Sequence, residues 1–140
     1  MNRMMRMLSV VACAAVLTAS CGKTTNDPGA TPSLHVTGID LGRSLAADKG
    51  IADQASAFRP SDTIYLSVET DGTSPKATLR TRWTYQDGQV VKELSETIAP
   101  TRKTRTEFHI EKPDGWPAGT YAVTVSLDGT AAGSKDFVVK

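Results

Sequence analysis

From residue 34 onward, apolar and polar residues alternate with a period of two in segment after segment, and each segment ends in turn-forming residues. That period sends alternate side chains to opposite faces of an extended chain, so each segment predicts a strand with one buried and one wet face. Leu34, Val36 and Ile39 mark the first, and the slip in their spacing predicts a bulge. Ile64, Leu66 and Val68 alternate with Tyr65, Ser67 and Glu69, and Leu79, Thr81, Trp83 and Tyr85 alternate with Arg80, Arg82 and Thr84. Asp87-Gly88 is a favoured hairpin dipeptide. Folding the chain on a two-residue loop there sets Tyr85 opposite Val90, Arg82 opposite Glu93 and Thr81 opposite Leu94.

A further strand points Phe108 and Ile110 inward, with Arg105, Glu107 and His109 on its other side. The turn-rich run from Lys112 to Gly119 leads into Tyr121, Val123, Val125 and Leu127; Asp128-Gly129 turns the chain again, and Phe137 and Val139 close the last strand. Seven short strands and no competing helical stripe predict an all-β antiparallel sandwich over residues 34–140, a length that can bury one core unaided. The stretch from Gly42 to Pro60 is long for a structureless connection and predicts either a short hairpin or a turn of helix.

The first twenty residues have a different pattern. Arg3 and Arg6 precede an uncharged apolar run from Met7 to Ala19, which is signal-peptide length and well short of the ~20 residues of a bilayer span. The run closes on Leu17-Thr18-Ala19-Ser20-Cys21-Gly22. This resembles the bacterial lipobox, in which small residues admit a peptidase and the thiol of the following cysteine takes a diacylglycerol. The resemblance implies cleavage before Cys21 and its lipidation, with several acyl chains holding the protein stably on a membrane. Thr18 departs from the leucine usual at its position. Val10-Val11-Ala12-Cys13 has the same letters but leaves too short an apolar run behind it. The alternative is an ordinary signal peptide cut near Ala19. Gly22-Lys23 lacks the aspartate that marks inner-membrane retention in enteric-type bacteria, which favours the outer membrane. Residues 21–33 are polar and broken by Pro28, Gly29 and Pro32, a composition that predicts a flexible tether.

Loss of the leader leaves 14 basic against 15 acidic residues. That balance offers no general attraction to nucleic acid. Cys13 and Cys21 are the only cysteines, so the body has no disulfide available.

Three stretches carry a further resemblance: Phe58-Arg59-Pro60-Ser61-Asp62-Thr63-Ile64-Tyr65, Arg82-Trp83-Thr84-Tyr85-Gln86-Asp87-Gly88-Gln89-Val90-Val91, and Phe108 through Tyr121. They resemble proteobacterial lipoproteins with a single immunoglobulin-like, fibronectin-III-like β-sandwich domain. The resemblance implies a buried Trp83 on the third strand and a Tyr121 hydroxyl bonded back to the preceding turn. It implies fold and location, and no biochemistry.

Candidate chemistry is sparse. His35 and His109 lack ligand spacing for a metal, and the aspartates at 62, 71, 87, 114 and 128 stand in or near turns, where they cap backbone amides. No serine sits in a Gly-x-Ser-x-Gly frame, and no cofactor motif is found. Arg80, Arg82 and Arg105, with Arg102, Lys103 and His109, form either a basic binding surface or a solvated face paired with Glu93, Glu96 and Glu107. Trp116 in Gly-Trp-Pro is either an exposed anchor or a residue packed over the sandwich edge. Together these features predict a non-catalytic binding or accessory module, held on the bacterial envelope by Cys21 and docking onto an envelope protein. The alternative is a structural protein contacting peptidoglycan, lipopolysaccharide or glycan.

Overall fold

The computed structural model describes residues 33–140; the leader, Cys21 and the tether through residue 32 lie outside the described residues. Nine strands follow in order: β1 (His35–Leu45), β2 (Ile51–Gln54), β3 (Ala57–Phe58), β4 (Ile64–Asp71), β5 (Ala77–Tyr85), β6 (Gln89–Ile98), β7 (Thr104–Ile110), β8 (Gly119–Leu127) and β9 (Thr130–Val139). They form a four-stranded sheet in the order β2-β1-β4-β7 and a five-stranded sheet in the order β3-β9-β8-β5-β6. All pairings are antiparallel except that of β3 with the end of β9. The seven expected strands are β1 and β4 to β9. The two additional ones fall in the 42–60 stretch, where the hairpin is the alternative adopted.

Alternation sorts the side chains as expected. Ile64, Leu66 and Val68 of β4 and Phe108 and Ile110 of β7 face Leu79 and Trp83 of β5 and Tyr121, Val123 and Val125 of β8 across the core. Thr81 also faces inward, fully buried, because its hydroxyl accepts the indole N–H of Trp83 at 3.1 Å. A buried polar atom with a partner costs little.

Two details of register differ from the simplest reading. The bulge predicted in the first strand lies between Val36 and Gly38. At the β5–β6 hairpin, Arg82 does oppose Glu93 and Thr81 does oppose Leu94, but Tyr85 pairs with Gln89 rather than Val90. The loop has three residues, with Gln86 at φ 53° and Gly88 at φ 100°. The extra residue is removed again by a register shift between Trp83 and Thr84, which leaves Val91 unpaired. A three-residue loop needs left-handed backbone that Gln86 supplies here, a choice the Asp-Gly dipeptide does not announce.

The end of β1 and all of β2 form a strongly irregular hairpin that coils back over the outer face of the four-stranded sheet. A Cβ on Gly42 would run into the Asp53 carbonyl oxygen and Cγ2 of Ile51, so the arm lies directly on this glycine. The tip reaches β7, where Asp48 pairs with Arg105. Ser67, on the outer side of β4, is only 2% exposed. The chain then crosses to the other sheet, and Arg43 holds the crossing. Its guanidinium pairs with Asp62 at 3.3 Å and Asp53 at 3.6 Å, donates to the Ala57 carbonyl, and stands over the Phe58 ring at 5.6 Å.

Gly42→Ala places a methyl group against backbone that has no room to give. It is expected to destabilise the domain by about 1 to 3 kcal/mol in chemical denaturation, as overpacking does. An unchanged midpoint would mean the arm does not rest on this residue.

Candidate functional site

The two outer faces of the sandwich differ. On the four-stranded sheet, the hairpin arm and an ion-pair network occupy the surface. Glu69 receives Lys103 at 2.8 Å, Arg105 at 3.0 Å and the Thr37 hydroxyl at 3.0 Å, while Arg105 also holds Asp48. The hydrogen bond from Lys103, then that from Thr37, holds the Glu69 carboxyl below the usual carboxylate range, although partial burial acts the other way. Nearby, His109 stands 3.4 Å from Glu107 and its ring centroid 5.6 Å from that of Tyr65.

On the five-stranded sheet the outward residues of β8 are short and half-buried, those of β9 are exposed, and Arg80 and Arg82 of β5 flank them. Register aligns Arg82 with Glu93, Thr124 and Ser134, and aligns Thr84 with Ala122 and Asp136. Arg80 pairs with Glu93 at 2.7 Å and Arg82 with the same carboxylate at 3.6 Å, all three side chains well exposed. Pairs of this kind contribute at most about 1 kcal/mol, so they leave the arginines able to exchange partners.

The expected basic surface is therefore divided. Arg80 and Arg82 belong to one sheet and Arg105 and His109 to the other, so no continuous patch joins them. Alternation predicted the facing sense within each strand and carried no information on which strands share a sheet. The acidic partners are also corrected: Arg105 takes Glu69 and Asp48 rather than Glu107, and Glu96 forms none of the ion pairs among the described residues.

Trp116 is 5% exposed, which removes it as a surface anchor. Its indole N–H donates to the Asp62 carbonyl at 3.1 Å, its backbone N–H donates to the Pro60 carbonyl at 2.8 Å, and its ring meets Tyr121 edge-on at 6.1 Å. The Tyr121 hydroxyl donates to the Pro117 carbonyl at 2.7 Å, as the resemblance implied, and Tyr85 donates to the Ala118 carbonyl at 2.9 Å. Two tyrosines thus pin one loop. The second was missed in the sequence because its loop partner is distant along the chain, as were Gly42 and Arg43, which lie past the point where β1 stops alternating. The aspartates do cap turns: Asp62, Asp71 and Asp128 accept the amides of Arg59, Gly72 and Thr78, each at 2.8 Å.

No protein-family model matches the chain, and neither does any curated protein. Solved structures do. An immunoglobulin-like protein from Pseudomonas aeruginosa matches with a TM-score of 0.53 and 15% identity, over 80% of this chain and the whole of its own. The fold is an immunoglobulin-like β-sandwich. A β-glucosidase from Listeria innocua in complex with gluconolactone matches at a TM-score of 0.51 and 9% identity over 76% of this chain, and an alkylpurine DNA glycosylase from Pseudomonas fluorescens at 0.49 and 18% over 76%. The chain spans 16% of the former and 30% of the latter, and at these identities the likeness is one of fold.

Desolvation holds the Tyr121 hydroxyl above the ordinary tyrosine value of 10.0, with Tyr85 adding to the effect. A raised folded-state value means its contribution is complete below about pH 10 and disappears as the pH rises through the folded value. Tyr121→Phe is expected to cost about 1 kcal/mol at neutral pH and to flatten this alkaline decline, both read from denaturation midpoints. At the acid end the sign reverses. Glu69 is held low, so its contribution is present above the ordinary carboxylate value and is lost as the pH falls through the folded one. Glu69→Gln should weaken the acid dependence of unfolding; an identical acid profile would exclude the network.

Proposed function

We propose that the chain is a lipoprotein of the bacterial envelope, anchored through Cys21 and acting as a non-catalytic binding or accessory module. The supporting observation is the asymmetry of the sandwich. One outer face is occupied by the chain's own hairpin arm and ion pairs, while the outer face of β5, β8 and β9, lined by Arg82, Thr124, Ser134, Thr84 and Ala122, is covered by no other element among the described residues. Short side chains permit close approach of another protein surface, and Arg80 and Arg82 can exchange Glu93 for a carboxylate across that interface. The leader and the lipobox-like run at 17–22 support the anchor, and the polar tether allows the domain to turn toward its partner. The outer membrane is the favoured side, on the residues that follow Cys21.

The structural alternative, direct contact with cell wall or lipopolysaccharide, rested on a joined basic surface or on an exposed Trp116. The division of the arginines between sheets and the burial of Trp116 leave it without a specific observation in its favour.

With Cys21→Ser, the protein should lose incorporated lipid label and leave the detergent-extracted membrane fraction. Retention of lipid label and membrane behaviour by this variant would overturn the anchor. A photoreactive residue in place of Thr124 should crosslink one stoichiometric envelope protein in living cells, and one in place of Ser67 should not. Equal labelling from the two positions would sink the assignment of the open face.

A further inference from the structure

β9 has ten residues, from Thr130 to Val139, but its outer neighbour β3 pairs only with Val138 and Val139. From Thr130 to Phe137 one hydrogen-bonding edge of β9 is taken by β8, and among the described residues no strand takes the other. The residues from Thr130 to Asp136 are exposed apart from the half-buried Gly133. A groove runs along this edge, between β9 and β1. Its middle is a cleft of about 400 Å³ between Val36 to Asp40 and Ala132 to Lys135, and further clefts of about 430 and 280 Å³ continue it at either end. Half-buried Val36 and Ile39 and buried Leu41 make the apolar part of its floor, and Asp40, Lys135 and Asp136 stand along its walls. Gly133 makes the groove narrow-walled, since a Cβ there would stand 2.7 Å from Cδ1 of Ile39.

We propose that this edge receives an extended segment of another protein, which adds to β9 in the line begun by β3. The segment's chemistry follows from the groove. Its main chain supplies the hydrogen bonds that β3 makes over two residues only, and one apolar side chain lies over Ile39 and Gly133. A carboxylate two positions along meets Lys135, which opposes buried Val123, so that it stands on the core side of β9, and forms none of the ion pairs among the described residues. A lysine on the inner side of an edge strand repels indiscriminate apolar pairing, and here it admits an acidic strand in preference to a neutral one. β6, the opposite edge of the same sheet, is closed to this mode. Both edges carry a bulge, β9 at Ala132 and β6 at Val91, but on β6 two charges, Lys92 and Glu96, stand on the core side opposite Trp83 and Leu79, where β9 has Lys135 alone.

The proposal deepens the binding-module reading and rests on it for the existence of a partner, but its test needs neither membrane nor partner. The full chain in detergent is titrated with the acetylated peptide Thr-Val-Thr-Glu-Thr-Val, whose valine and glutamate stand two apart on one face, and with the same peptide carrying lysine for glutamate, and hydrogen exchange is followed by mass spectrometry. The glutamate peptide should slow exchange about tenfold in residues 130–137 and leave β6 unchanged. The lysine peptide should bind about threefold to fivefold more weakly, the size of an exposed charge pair, and Lys135→Glu should reverse that order. Gly133→Val should abolish protection, and because its side chain also displaces Cδ1 of Ile39, Lys135→Glu, which adds no bulk there, is the variant that decides the test. Absence of protection in residues 130–137, or the same peptide order in Lys135→Glu, would overturn the proposal, as would concentration-dependent protection without peptide, which would make the occupant a second copy. A partner crosslinked from Thr124 with no protection of β9 would sink this proposal and leave the binding module standing.

Discussion

Phe137 is the residue on which the two halves of the five-stranded sheet and the crossing chain converge. Its ring stacks on Tyr121 at 5.2 Å with 12° between planes, and meets Phe58 and Trp83 edge-on at 5.5 and 6.0 Å. All four rings belong to the five-stranded sheet, and with no cysteine after Cys21 the tie between the sheets is the packing of this cluster and its aliphatic neighbours against Ile64, Leu66, Val68, Phe108 and Ile110 of the other sheet. Each aromatic pair contributes about 0.5 to 1.5 kcal/mol beyond the area it buries. Phe58 matters most for topology, because it belongs to the two-residue strand that carries the chain from one sheet to the other. Arg43 stands over that ring and bonds both sides of the crossing, which fixes where β3 meets β9.

That constraint has consequences at both ends of the molecule. Tyr121 is shared between the cluster and the loop before β8, so ordering of the core also orders Trp116 and the loop around it through the Pro117 and Pro60 carbonyls. At the other side, a crossing held at Phe58 pairs β3 with the final two residues of β9 and no more. The chain upstream is committed to the hairpin arm on Gly42. The free edge of β9 is therefore built in by the crossing point rather than being a frayed margin.

Strand existence and facing were legible because period-two alternation is imposed by burial of one face, and β4, β5, β7 and β8 follow it, with Ser67 of β4 buried as well under the hairpin arm. The bulge near Val36 and the Tyr121 bond were legible too, since each leaves a local mark in spacing or in the residues before a strand. The arm was not. Gly42-Arg43-Ser44 breaks the alternation, and what these residues touch, Asp53, Ala57, Phe58 and Asp62, is set by a three-dimensional crossing with no periodic trace. The same blindness explains the divided basic surface. Outward parity is a property of each strand, whereas the sheet to which β7 belongs depends on where the five-residue connection after β6 takes the chain. In the β5–β6 hairpin, a longer loop and a compensating bulge cancelled, so the register of Arg82 with Glu93 survived a wrong turn length.

Seen through its edges, the sandwich guards itself unevenly. β2 is short and irregular, β3 has two residues, and β6 carries a bulge and two inward charges. Each is a device that discourages another chain from pairing. β9 has a bulge at Ala132 and one inward charge, Lys135, and beside it a groove floored in part by Val36 and Ile39. A lone inner charge is a weak barrier to strands in general and a strong selector among them, because a matched carboxylate satisfies it while an apolar or basic residue leaves it desolvated or repelled. On the proposed reading, the module's specificity comes from backbone pairing that any extended segment can make and one charge that few satisfy.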